Sequence, residues 1–250
     1  MDVVVWVVVG AGFAAMALVL ATGSSRMAVA VGLPRSTGVA MGAALTAVWL
    51  AWVVVSGLLA AAGAYRQDPS APRPWFAVTF VGVLAAVLLV ARVPVVARAL
   101  AGPHVPAMLV AAQAPRVVGG VFLLVMAAGG LPPVFALPAG IGDVAVGVAA
   151  VFVARRMRAG TAGRGPVWFT VLGMLDLVIA LTVGTAAGLL GVQPTMAAIG
   201  VPPLALIPTA AVPLAFGLHV LALQRLRAGA PGSGGQPLNA SGAGPSTGTS

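Results

Sequence analysis

Apolar residues in this chain do not alternate with polar ones at a short period; they come in long runs broken by brief polar stops. A segment that is hydrophobic all round suits a helix buried in lipid or in a core. About 20 such residues, at 1.5 Å rise each, cross a bilayer. Seven runs meet or approach that length, near residues 3–22, 38–62, 75–97, 115–131, 137–154, 166–190 and 202–223. The predicted fold class is all-α, a membrane bundle of about seven transmembrane helices over residues 1–227. The fourth and fifth runs are short and either cross separately or form one kinked hairpin. The uncharged stretch 129–138 between them is expected at the interface or tucked against the bundle, because non-helical backbone at that depth needs protein cover. From residue 228 to 250 the chain turns to Gly, Ser, Pro and Ala, which predicts a disordered cytoplasmic tail. Asn239-Ala240-Ser241 matches a glycosylation sequon there, and a cytosolic tail would never meet the transferase.

Composition supports the same class. Of 250 residues, 60% are hydrophobic and 7% charged, with a mean hydropathy of +1.10. A soluble domain carries about 25% charged residues, so this surface must face lipid. The net charge of +9 does not point to nucleic acid, because the arginines cluster at the ends of apolar runs, where they suit anionic headgroups. The chain has no Cys and no Lys, which excludes disulfides, thiolate sites and Schiff-base chemistry.

Charge placement sets the orientation. With the N-terminus outside and seven spans, the cytoplasmic segments hold Arg26 and Arg35, then Arg92, Arg98 and Arg116, then Arg155, Arg156, Arg158 and Arg164, then Arg225 and Arg227. Only Arg66 and Arg73 fall outside, so the positive-inside rule predicts the N-terminus outside and the C-terminus cytoplasmic, in the cell membrane. The first run is not a cleaved signal, since its basic residues follow the apolar stretch. Trp6, Tyr65, Trp75 and Trp168 fall where interfacial aromatics belong, whereas Trp49 and Trp52, mid-span on the Ser56 face, read as packing or lipid contact.

Helices in lipid associate through small residues. Gly38 to Gly42, Gly184 to Gly188 and the Gly119-Gly120 pair predict close helix contacts, within a tight bundle or across a homodimer. Pro203, Pro208 and Pro213, five apart in the seventh run, each remove a backbone donor, so that helix should kink or break.

The groups that need explaining are the aspartates. Asp176 lies ten residues into the sixth run and Asp143 lies at matched depth in the fifth, about 15 Å from the ends. An ionised Asp at mid-bilayer costs about 2.5–3.5 kcal/mol. Gly140, Gly147, Ala150 and Ala154 share a face with Asp143; Gly173, Ala180, Gly184 and Ala187 share one with Asp176. Both carboxylates should therefore face the bundle interior. Arg116, Arg92 and His219 are the candidate partners, and the five residues form one candidate polar cluster for transport or proton relay. The competing reading is an ion pair that only fixes helix register, with Arg92 snorkelling to the interface. His104 is expected in a solvated loop. Two distant histidines without Cys or Glu make no metal set, and neither a phosphate loop nor a G-x-S-x-G elbow occurs, so no cofactor is expected and an enzyme has least support.

Arg116-Val117-Val118-Gly119-Gly120-Val121-Phe122-Leu123, followed by Gly130-Leu131-Pro132-Pro133-Val134-Phe135-Ala136-Leu137-Pro138-Ala139-Gly140-Ile141-Gly142-Asp143, resembles an uncharacterised family of small bacterial multi-pass membrane proteins. The resemblance implies the class and no activity. The leading expectation is a small transporter or permease; the alternative is a non-catalytic membrane protein that binds a partner protein or lipid.

The orientation has a direct test in this cysteine-free chain. An impermeant maleimide added to intact cells should label Ser70→Cys and spare Gly160→Cys; the opposite pattern would reverse the assignment.

Overall fold

A computed structural model describes residues 2–66 and 74–228, and every regular element within them is helical. Arg73, Ser70 and the expected tail beyond Ala228 lie outside the described residues. Six helices are long and apolar enough to cross a membrane, or seven if one bent pair counts as a single span. Large apolar side chains such as Val3, Leu58 and Val81 point outward along them.

The first two helices, α1 (Asp2–Ala30) and α2 (Arg35–Ala61), form a long antiparallel pair. Glycine sets their separation. A Cβ on Gly42 would meet the Ala21 carbonyl of α1, and one on Gly38 would press on Ser25. The Ser25 hydroxyl lies 2.8 Å from Ala21 O and 2.9 Å from Gly38 O. The small-residue face at Gly38 and Gly42 is thus occupied within the chain.

Proline decides the next departures from straight spans. The third run splits into α3 (Trp75–Val90) and α4 (Pro94–Leu100), bent by 82°. Val93, held extended (ψ 130°) before Pro94, cannot continue α3, and Pro94 opens α4, where a missing N–H costs nothing. The fourth run starts at Val105, not at residue 115, and continues to Ala127 as one span. It consists of α5 (Val105–Ala111), a 3₁₀ segment (Ala114–Gly120) and α6 (Val121–Ala127). Pro115 has no N–H for the Ala111 carbonyl, so α5 ends there and the tighter turns follow. The fifth run likewise starts earlier than expected, as α7 (Pro133–Arg158), which carries Pro138 inside. Leu131, just before it, is fully buried, so the apolar stretch does tuck against the bundle. The sixth is α8 (Gly165–Leu189).

In the seventh run a π-helical turn (Ile207–Ala211) leads into α9 (Val212–Ala228). Val212 N–H bonds back to Ile207 O, one residue further than in an α-helix. Pro213 leaves the Thr209 carbonyl without its helical donor, and Trp52 Nε1 donates to it at 2.9 Å. Trp52 therefore does more than pack. Trp49, one turn away, stacks on Phe13 with ring centroids 5.3 Å apart.

Trp52→Phe should lower thermal stability by about 1–3 kcal/mol, the cost of stranding a buried carbonyl. Pro213→Ala restores a backbone donor near that carbonyl, so the loss should shrink in the double variant; strictly additive effects would show that the indole is not satisfying Thr209.

Candidate functional site

The break at Pro115 places Arg116 midway along the Val105–Ala127 span, on a 3₁₀ segment that lies against α7. Gly147 permits this approach, since a Cβ there would run into Val117 and the Ala114 carbonyl. The Arg116 side chain enters the bundle between α7, α8 and α9, and it is buried. Its Nε and Nη2 donate to Asp143 Oδ1 at 2.8 and 2.6 Å, and Nη2 also donates to Asp176 Oδ2. Its Nη1 donates to the Gly173 carbonyl at 3.2 Å and lies 3.4 Å from His219 Nε2. A guanidinium has five N–H donors and no acceptor, so all five are engaged, and Nε2 must be the unprotonated nitrogen of His219.

Glycines make the space. A Cβ on Gly119 would collide with Asp143, one on Gly142 with Asp176, and one on Gly173 with the His219 ring. Each faces one acidic or imidazole member of the cluster. Phe169 closes over His219 at a centroid distance of 5.7 Å.

Four of the five candidate residues therefore come together: Arg116, Asp143, Asp176 and His219. Arg92 does not. It is exposed at the corner between α3 and α4, where the helix axis bends by 82°. Arg116 was expected to reach up from a helix end, but the earlier start of the span carries its backbone to the middle. His104 is exposed, as expected. Asp143 is buried and Asp176 half-buried.

Two polar features were not anticipated. Gln113, fully buried one turn before Arg116, donates from Nε2 to Ala215 O at 3.1 Å. A hydroxyl chain links α2, α3 and the π turn. Tyr65, expected at the interface, is buried. Its hydroxyl lies 3.3 Å from Ser56 Oγ and receives a 3.5 Å contact from Thr79 Oγ1. Ser56 Oγ lies 2.6 Å from Thr209 Oγ1, which donates to Ala205 O at 2.6 Å. Ser56 was visible on the tryptophan face of its helix; its partners are distant in sequence, and no local pattern joins them.

Asp143 borders two cavities. One, of about 50 Å³, is also bordered by Arg116, Phe13, Trp49 and Ala215. The other, of about 230 Å³, has aromatic walls. The smaller exceeds the space one water needs, and its polar groups suit water. Asp143 Oδ2 and Asp176 Oδ1 accept no hydrogen bond among the described residues. Two carboxylates against one guanidinium leave the cluster one negative charge in excess when both are ionised. Among the described residues no three His, Asp or Glu side chains gather as a metal site.

Over the described residues, the fold and site define an all-helical protein whose apolar helices reach membrane-spanning length and enclose an arginine–aspartate cluster. The chain belongs to the family described as a domain of unknown function, DUF8737, whose model matches residues 73–227. That segment holds all four clustered residues and leaves out α1 and α2. The expected likeness to an uncharacterised family is borne out to that extent. No curated protein and no solved structure matches the chain.

Breaking the cluster should cost more than dismantling it evenly. Arg116→Gln leaves two carboxylates facing each other and should destabilise the protein by about 3–5 kcal/mol. Arg116→Lys should not restore it, because an ammonium cannot span the same acceptors. Arg116→Gln with Asp143→Asn should unfold at a higher temperature than Arg116→Gln alone; equal melting would show that the charges are uncoupled.

Proposed function

We propose that this chain is a multi-pass protein of the cell membrane, N-terminus outside and C-terminus in the cytoplasm, that carries a cation through its bundle by way of Asp143 and Asp176. The observation that carries the reading is that Asp143 borders both the water-sized cavity beside Arg116 and the larger cavity beyond it. A cation can approach the same carboxylate from two sides. With both carboxylates ionised, the excess negative charge supplies the attraction, and Asp143 Oδ2 and Asp176 Oδ1 remain as acceptors. Ionisable groups inside a membrane are costly, and when they line a cavity they mark ion or proton pathways. Arg116 has a positioning role: it holds both carboxylates and, with all its donors engaged, leaves none for an anion.

In proteoliposomes under an imposed gradient, the parent chain should move protons, sodium or a monovalent amine above the level of empty vesicles. Asp143→Asn should remain folded and lose that flux, and Asp176→Asn should reduce it. Parent flux no greater than that of empty vesicles, with both variants merely less stable, would make the cluster a structural ion pair.

A second reading, lipid binding, is favoured by a third cavity. It measures about 590 Å³ and lies between α2 and α3, with Trp49, Trp52 and Gly82 on its walls. Arg26, Arg92 and Arg98 are exposed near its lining residues Met27, Ala91 and Val96, and would suit an anionic headgroup. A Cβ on Gly82 would meet nothing, so Gly82→Trp should fill the space. Loss of co-purified anionic phospholipid in that variant, detected by mass spectrometry, would support this reading; unchanged lipid would remove it.

A further inference from the structure

The larger cavity at Asp143 has a composition that the cluster alone does not require. Four of the chain's eight phenylalanines and its single tyrosine line it. They stand in pairs: Tyr65 stacks on Phe76 at 5.1 Å, and Phe122 meets Phe135 edge to face at 5.3 Å. Phe80 adds a fifth ring, braced edge-on by Phe216. Asp143 is the only charged residue among those described that lines this cavity. These aromatics come from α3, α6, α7 and the turn after α2, so no stretch of sequence announces them.

We infer that this cavity binds a hydrophobic organic monocation, an amine or quaternary ammonium, with its charge at Asp143 and its apolar body among the aromatic rings. The inference rests on the carrier reading and names its substrate class. Three observations select that class. The saturated Arg116 offers an anion no donor. With both carboxylates ionised, a neutral guest would leave the cluster's excess negative charge unbalanced. A small metal ion needs several oxygen ligands and would gain nothing from rings, whereas aromatic faces attract organic cations through their quadrupoles.

The test uses the full chain in nanodiscs and benzyltrimethylammonium as the probe, followed by calorimetry. The parent should bind it saturably, and a tenfold higher sodium concentration should not displace it. Phe80→Leu keeps an apolar side chain of similar bulk, touches no charged group, and should weaken binding between about two- and thirty-fold. Asp143→Asn should weaken it at least tenfold. If Asp143→Asn fails to fold, Phe80→Leu still decides. Absence of saturable binding, or equal affinity in the parent and Phe80→Leu, would overturn the inference. If proton or sodium flux depends on Asp143 while the probe does not bind, the inference falls and the carrier reading stands. If the probe binds as expected and nothing is transported, the ligand class stands and the carrier reading falls.

Discussion

The Arg116 guanidinium must place five N–H donors in an interior that offers few acceptors, and the arrangement of four helical segments follows from where it finds them. Asp143 on α7, Asp176 and the Gly173 carbonyl on α8, and His219 on α9 converge on a side chain delivered by the 3₁₀ segment between α5 and α6. An arginine buried without these partners would carry a desolvation cost of several kcal/mol. The same cost works as a constraint, because a helix that rotated or slid would strand a charge. Close approach is possible only because Gly119, Gly142, Gly147 and Gly173 present no side chain at the contact points.

Proline shapes the bundle through a similar requirement, the pairing of backbone groups where water is absent. Pro115 ends α5 and so delivers Arg116. Pro94 turns the chain through 82°, and Arg92 stands exposed at that corner. Pro213 leaves the Thr209 carbonyl to be satisfied by an indole from α2, which ties the first helical pair to the last helix. At Pro213 the missing N–H is thus compensated at a distance, and a local gap in the helix becomes a tertiary contact.

The chemistry of the site comes from what this accounting leaves over. The guanidinium is fully used, whereas Asp143 Oδ2 and Asp176 Oδ1 are not. A purely structural ion pair gains nothing from unpartnered oxygens, excess negative charge and adjoining cavities. A cation-handling site uses all three. On the proposed reading, the aromatic wall beyond Asp143 favours an organic cation over an inorganic one.

Much was legible in the chain alone. Its long apolar runs fixed the helical class, and its paired small-residue faces identified Asp143 and Asp176 as interior, because those signals are local and repeat at helical spacing. Arg116 and His219 could be nominated as the scarce charges able to reach them. Helix boundaries near proline were less legible: the starts at Val105 and Pro133 and the bend at Pro94 depend on which neighbours cover the freed backbone. The aromatic cavity and the Tyr65–Ser56–Thr209 hydroxyl chain were not legible, since their members lie on different elements, some more than 150 residues apart. Hydropathy and residue spacing determine what each helix must hide. Only the packed bundle decides which hidden groups meet, because a buried charge or carbonyl is satisfied by geometry in three dimensions and not by distance along the chain.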